Sequence, residues 1–547
     1  MNLVAGFRYN AAKIMGPFMH SRYQTPAGSW THRTTFFWAT TGATVGLSNL
    51  WTFPHIVGES GGGAFLLVYL ACLLLLTLPL MLTEAAIGRG ARHGAVLALG
   101  TLARASGAPH RWVWPGRLSV LAGFLVLSFY AVIGGICLAY VFYAAYGRLD
   151  GAGDAKLTLV LTSLVQDPAH YRSFMGWHAF FLGLVMVASM QGVVNGLERA
   201  LRVVMPLFVL LLVGLLVYGI QYGNIDAAMN YLLAMRPEQL SFNGVRQGLT
   251  HAFYTLALGV GVLVVFGAYS APTTPLKRSV LAVALFDTLI AIVAGLVIYA
   301  AVFSHQGNAT QGFNLVFLAL PEALSALPFG QFVTTVFFVT IVLAAWSSSI
   351  ALLEPSVSWL QERLAAPRGW SVLLIGLAAW GVGLASLLSF NAWSDDTFLG
   401  GSIYRWMEML TSTLLIPIVS VLLAFFAGWA VPDELANRLI GRGPVFVRQI
   451  WQWVIRLVLP AVILYIGVHY AIQSGGSLCS SSSPPFWCES HNEQLPSGAP
   501  EPPPPPPDTM PAEPGAEPQV PPAETLQESV KGRSEEPVPD DLLYQSA

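Results

Sequence analysis

Apolar runs long enough to cross a bilayer recur along the chain at 34–57, 63–88, 117–146, 175–192, 198–222, 244–270, 277–303, 331–360, 370–390, 399–429 and 450–473. With the polar stretches between them, they predict an all-α polytopic membrane protein of about eleven transmembrane helices. The link from Phe303 to Gly330 carries Pro321 and Pro328 and predicts short re-entrant or surface helices.

Two of the runs are interrupted. From Gly42 to Pro54 the sequence GATVGLSNLWTFP places two glycines, a Ser, an Asn and a proline in the middle of the first span. Unpaired backbone costs several kcal/mol per group in hydrocarbon, so a break here has to line a protein cavity and meet a partner. Gly259 and Gly261, within Thr250 to Pro272, interrupt the sixth run in the same way. Glycines also let membrane helices pack closely. A matched pair five spans apart, with Asn and Thr at the breaks, instead predicts an inverted repeat of spans 1–5 and 6–10. Because five is odd, the two halves enter the membrane in opposite directions.

Composition agrees. The 547-residue chain is 54% hydrophobic and 10% charged, with mean hydropathy +0.60. Soluble domains are roughly one-quarter charged. A formal net charge of -2 gives no case for nucleic-acid binding. Residues 1–33 are polar and basic without a short apolar core, so no cleavable signal peptide is expected.

The basic residues set an orientation. If the N-terminus is inside, the inner segments carry Arg89, Arg92, Arg104, Arg111, Arg199, Arg202, Arg363 and Arg368 among others. The loops between spans on the other face carry only Arg148, Lys156, Arg172 and Arg236. The bias predicts a cytoplasmic N-terminus and, with an odd number of spans, an extracytoplasmic C-terminus. Three segments are expected: a cytoplasmic extension over 1–29, a membrane domain over 30–473 and a tail over 474–547. Within the domain, repeats at about 34–222 and 244–429 precede a final helix at 450–473. The tail is rich in Ser, Pro and acidic residues and is expected to be disordered. Cys479 and Cys488 at its start pair or stay reduced according to the compartment, which their spacing leaves open.

These motifs carry a family resemblance. GATVGLSNLWTFP with GESGGGAFLLVYL and LPLMLTEAAIGRG resembles the first two helices of the neurotransmitter:sodium symporter family, in its prokaryotic amino-acid-transporting branch. FYTLALGVG resembles that family's broken sixth helix, AAWSSSIALLEP its eighth and LTSTLLIPIVSVLLAFFAGW its tenth. The similarity runs from about Trp30 to Tyr470. It implies a multi-pass protein of the cell (inner) membrane.

The resemblance implies two sodium sites. Sodium is a hard cation that takes oxygen ligands. The first site would use Asn49, the Thr44 carbonyl, Thr255 and Asp287, with the substrate carboxylate completing the shell. The second would use the carbonyls of Gly42, Val45 and Ala344 and the hydroxyls of Ser347 and Ser348. A carboxylate within an apolar span, such as Asp287, is a functional-site candidate by default. In chloride-dependent relatives an Asn stands at this position, with a Ser nearby where this chain has Ala291. The implication is that no chloride is needed, because Asp287 supplies the negative charge itself.

The resemblance also points to the substrate. Amides near Leu47 and Ser48, at the start of the second half-helix, would face a carboxylate. Tyr130 matches the family's carboxylate-binding tyrosine. Gly46 stands where monoamine-carrying members have Asp, so the substrate should bring its own carboxylate. Carbonyls of Thr44, Tyr254, Thr255 and Ala257 would receive its amino group. Val126, Tyr130, Tyr254, Ala257, Val260 and Leu352 would wall the side chain without a counter-charge, which favours a neutral, hydrophobic amino acid.

The gates depart from the family pattern. Thr52 occupies the position of the outer-gate Arg, opposite Glu408, and Arg405 one turn earlier is a candidate replacement cation. At the inner gate Trp30 matches, but Ala27 replaces the Arg. Glu362 matches the acidic partner, and Arg33 is within its expected reach. Glu84 matches a family Glu that hydrogen-bonds the unwound backbone of the first helix, a supporting role. Sodium-coupled amino-acid uptake is the favoured function. The alternative is a transport-weak member acting as a sensor, with the tail binding an unidentified protein partner. A channel would need a continuous polar stripe, whereas the polar residues gather at the two breaks. No metal-ligand spacing or nucleophile–base constellation marks an enzyme.

Overall fold

In the computed structural model the described residues are 28–479, apart from 272, 306–311, 395–397 and 441–444. The first span is two half-helices, α1 (Thr35–Thr44) and α2 (Ser48–Glu59). After them come α3 (Gly63–Ala91), the short α4 (Ala95–Ala105), α5 (His110–Ala145), α6 (Asp154–Val165), α7 (Pro168–Met190) and α8 (Val193–Tyr222). The second half follows with α9 (Ile225–Leu233) and the broken sixth span, α10 (Phe242–Tyr254) and α11 (Val262–Tyr269). It continues with α12 (Leu276–His305), α13 (Gly312–Ser325), α14 (Gly330–Leu364), α15 (Arg368–Leu388) and α16 (Ile403–Ala430). A short α17 (Asp433–Ile440) leads to the last span, α18 (Arg448–Gly476).

Nine of these helices are long and apolar enough to cross a membrane among the described residues, and the two broken spans complete eleven crossings. The architecture is the expected all-α inverted repeat. α13 fills the Phe303–Gly330 link as predicted. The terminal helix runs on to Cys479, past the expected end at 473. No residue removes a backbone donor there until Pro484 and Pro485. Cys488, and therefore the Cys479–Cys488 pairing, lies outside the described residues, as does Ala27.

α5 and α14 run through the centre, with 78% and 72% of their apolar windows buried, against 28% for α8. The exposed face of α8 is apolar, with Val203, Leu210, Val213 and Val217, as contact with lipid requires. Span 2 and the second half of span 6 approach backbone to backbone. A Cβ on Gly88 would lie 1.7 Å from the Val264 carbonyl oxygen, and one on Gly267 would lie 2.1 Å from that of Ala85. Only glycine permits that spacing.

Candidate functional site

Both breaks have local causes. α1 ends where Val45 turns extended (φ -71°, ψ 98°), and α2 restarts at Ser48 with Pro54 inside it. In the sixth span, Ala257, Gly259 and Gly261 all take positive φ, which stops the helix for the residues between Tyr254 and Val262. A Cβ on Gly259 would lie 2.8 Å from Ser420 Oγ and 2.9 Å from the Ile416 carbonyl, so that position tolerates no side chain.

The breaks face a common cavity of about 460 Å³. It is lined by Thr44, Gly46, Ser48, Asn49 and Thr52 from the first break and by Tyr254, Thr255, Ala257 and Val260 from the second. Val126 and Tyr130 on α5 and Leu352 on α14 complete this lining, and Ser348 on α14 also faces the cavity. Residues from four spans distant in sequence thus meet at one cavity.

Two clusters of oxygen atoms flank this cavity. In the first, Thr255 Oγ1 donates to Asp287 Oδ2 at 2.8 Å. Asp287 is fully buried, and its Oδ1 has no hydrogen-bond partner. Asn49 Oδ1 accepts from the Gly46 amide at 3.2 Å, which ties the side chain to the break. In the second cluster, Ser348 Oγ lies 3.1 Å from the Gly42 carbonyl, 3.0 Å from that of Val45 and 3.2 Å from that of Ala344. One hydroxyl carries one proton and cannot satisfy three acceptors. The remaining convergence of carbonyl oxygens is the chemistry of a hard-cation shell. Ser347 Oγ, 2.9 Å from the Ala344 carbonyl, stands beside it.

Some expectations change. The Leu47 amide is not unpaired: it donates to the Tyr130 hydroxyl at 3.3 Å, and the Leu47 side chain is buried away from the cavity. Tyr130 accepts with its oxygen and so keeps its own proton to donate. Glu84 supports the other break: its Oε1 accepts from the Gly259 amide at 2.9 Å, in span 6 rather than span 1. The inverted geometry brings span 2 against α11, so its carboxylate meets the later unwound segment.

The acidic gate residues also have further partners. Glu408 accepts from the Tyr470 hydroxyl of α18 at 2.8 Å, while Arg405, one turn earlier on α16, is capped through its amide by Ser402 Oγ. Glu362 accepts from the Gly94 amide at 2.8 Å and lies 3.2 Å from His93 Nδ1. It therefore tethers the start of α4, whereas Arg33 is exposed. Trp30 is buried, with its amide on the Tyr269 carbonyl at 3.0 Å and its ring edge-on to Phe266 and Tyr269.

Sequence reasoning missed several residues here. Tyr470 and His469 of the last span reach the cavity, where Tyr254, already expected there, closes toward α16 through a 2.5 Å hydrogen bond to the Ser412 carbonyl. Arg246 also lines the cavity and contacts Asn243 and His469. A second omission is the buried pair Glu354–Arg368 at 2.6 Å, joined by the Tyr269 hydroxyl and by Ser189. Its signal was available, since charges in or beside apolar spans are rare and meaningful.

Comparison with known proteins bears on most of the chain. The model of the sodium:neurotransmitter symporter family matches residues 27–151 and 161–489. A Bacillus subtilis (strain 168) protein named as an uncharacterized sodium-dependent transporter, YhdH, is 30% identical over 444 residues, covering 80% of this chain and 96% of its own length. An uncharacterized sodium-dependent transporter of Haemophilus influenzae is 27% identical over 453 residues, covering 80% and 97%. The crystal structure of MhsT in complex with L-phenylalanine superposes with a TM-score of 0.72 at 31% identity, covering 81% of this chain and 99% of that one.

Proposed function

The chain belongs to the sodium:neurotransmitter symporter family, and from that premise we propose that it couples sodium entry to uptake of a neutral, hydrophobic amino acid by alternating access. The observation that carries this reading is the placement of both oxygen clusters against one cavity between the two helix breaks.

In this reading the first sodium ion binds Asp287, Asn49, Thr255 and the Thr44 carbonyl, and the substrate carboxylate completes its shell. The unpartnered Asp287 Oδ1 supports this assignment. The second ion would sit among the carbonyls of Gly42, Val45 and Ala344, with the Ser348 hydroxyl turned so that its oxygen faces the ion and its proton points away, and with Ser347 beside it. A shell shared between ion and substrate makes each raise the affinity for the other.

The substrate carboxylate accepts from the Tyr130 hydroxyl and from the backbone at Ser48. Gly46 leaves it room where an acidic side chain would repel it. Val126, Val260, Ala257 and Leu352 surround the side chain, and a related structure holds L-phenylalanine. An unpaired charge against those walls would be costly, so charged side chains are rejected. Asp287 neutralises sodium without a mobile anion, which makes transport chloride-independent. The membrane domain starts near residue 30 and ends with the terminal helix, with the N-terminus cytoplasmic and the C-terminal tail extracytoplasmic.

Uptake of a panel of neutral amino acids into proteoliposomes tests the reading, with an imposed sodium gradient and then with potassium in its place. Saturable accumulation that requires sodium is expected. Equal uptake in potassium would remove the coupling.

A further inference from the structure

We propose that Glu198, at the foot of α8, is the inner latch that holds the first span closed, a positioning role resting on the alternating-access reading above. Its carboxylate is 2% exposed and collects four donors from the start of span 1. Oε2 accepts from the Thr31 amide at 2.9 Å. Oε1 accepts from Thr31 Oγ1 at 2.9 Å, the His32 amide at 3.2 Å and Thr35 Oγ1 at 2.7 Å.

A carboxylate offers about four lone-pair sites, two on each oxygen; three donors share Oε1 and one takes Oε2, all from a single segment. Hydrogen bonds to an ionised acceptor are roughly twice as strong as neutral ones. The donors also sit at the N-terminal, positive end of α1, which favours a negative charge. The cation facing Glu198 is Arg202, one turn along the same helix at 3.9 Å.

The position of the contact gives it a function. Residues 31–35 join the buried Trp30, which plugs against Tyr269, to the half-helix whose far end supplies Gly42 and Val45 to the oxygen cluster around Ser348. Swinging the foot of span 1 outward requires all four bonds to break together. Glu362 spends its Oε1 on α4 and Arg33 is exposed, so among the described residues the carboxylate tie to the foot of span 1 comes from span 5, through backbone amides and hydroxyls. An ion pair between spans 1 and 8 is not needed.

The test uses the full chain with its four cysteines replaced and single cysteine reporters added. Ser270→Cys lies on the inner side of span 6, buried beside Tyr269. Thr52→Cys lies on the outer part of the cavity. Alkylation rates are measured in sodium with Glu198 intact and with Glu198→Gln, which keeps the shape but loses the charge and brings its own donors. The latch predicts a rise of about tenfold at Ser270→Cys and a fall at Thr52→Cys, the scale of one charge-assisted bond. Glu198→Asp should lie between. Rates that rise at both reporters would mean general loosening and overturn the proposal, as would rates unchanged at both. If Glu198→Gln does not fold, the pair Thr31→Val and Thr35→Val carries the same prediction with the carboxylate retained. Sodium-dependent uptake by the unaltered protein is read in parallel. Its absence would sink the transport reading, whereas its presence without a reciprocal shift would sink the latch alone.

Discussion

The Ser348 hydroxyl lies 3.0 Å from the carbonyl of Val45, a residue 303 positions earlier in the chain, and this contact joins the middle of α14 to the break in span 1. The same oxygen is within 3.2 Å of two further carbonyls, so a residue that could have been a packing serine becomes the centre of an oxygen shell.

Ser348→Ala should therefore act on sodium more than on the fold. Removing one oxygen ligand is expected to raise the half-saturating sodium concentration for uptake by about tenfold or more. Uptake titrated against sodium checks this, with gel filtration in detergent to show that the variant is folded. Unaltered sodium dependence would remove Ser348 from the ion's shell.

Gly46→Asp tests the charge of the substrate. A Cβ at this position would come 3.4 Å from the Tyr130 hydroxyl, so the new carboxylate would enter the space assigned to the substrate's own. Amino-acid uptake should fall below detection, while the corresponding decarboxylated amine gains measurable binding. Retained amino-acid transport would argue that the carboxylate binds elsewhere.

For Asp287→Asn combined with Ala291→Ser, the expected change is a new anion requirement. The fixed charge next to the ion is lost, and an ion's charge in a buried site needs compensation. Uptake in gluconate should fall by about tenfold and recover in chloride. The unaltered protein should transport equally in both media.

Arg368→Ala should be the most damaging for stability. It leaves Glu354, fully buried, without the guanidinium that holds it at 2.6 Å. Breaking one side of a buried pair typically costs about 3–5 kcal/mol. A lower unfolding temperature in detergent is expected, with partial recovery when Glu354→Gln is added. A variant as stable as the parent would mean that the pair is weaker than its geometry implies.

Much of this site was legible along the chain because its motifs are local. Gly42 to Pro54 and Gly259 with Gly261 mark the breaks by residue type alone, since hydrocarbon penalises unpaired backbone. The six residues expected to wall the substrate all line the cavity. What was not legible were partners chosen by approach. Glu84 was expected at the first break and meets the second, because Gly88 and Gly267 bring spans 2 and 6 into backbone contact. Glu362 was matched to the acidic inner-gate partner with Arg33 in reach, and its Oε1 caps the start of α4. Tyr470 reaches Glu408 from the last span, and no motif around it predicts that.

The amino-acid sequence by itself determined that this is a membrane protein of about eleven crossings, where two of them unwind, and which oxygen-bearing side chains stand near those points. Hydropathy period and helix-breaking residues act within a turn or two, so they can be read without a fold. The tertiary structure alone decided which break Glu84 supports, which amide Glu362 takes and which carboxylate binds the foot of span 1. Backbone amides are the same at every residue, so residue type alone cannot tell which of them a distant carboxylate will meet. Only the packing of distant helices selects them.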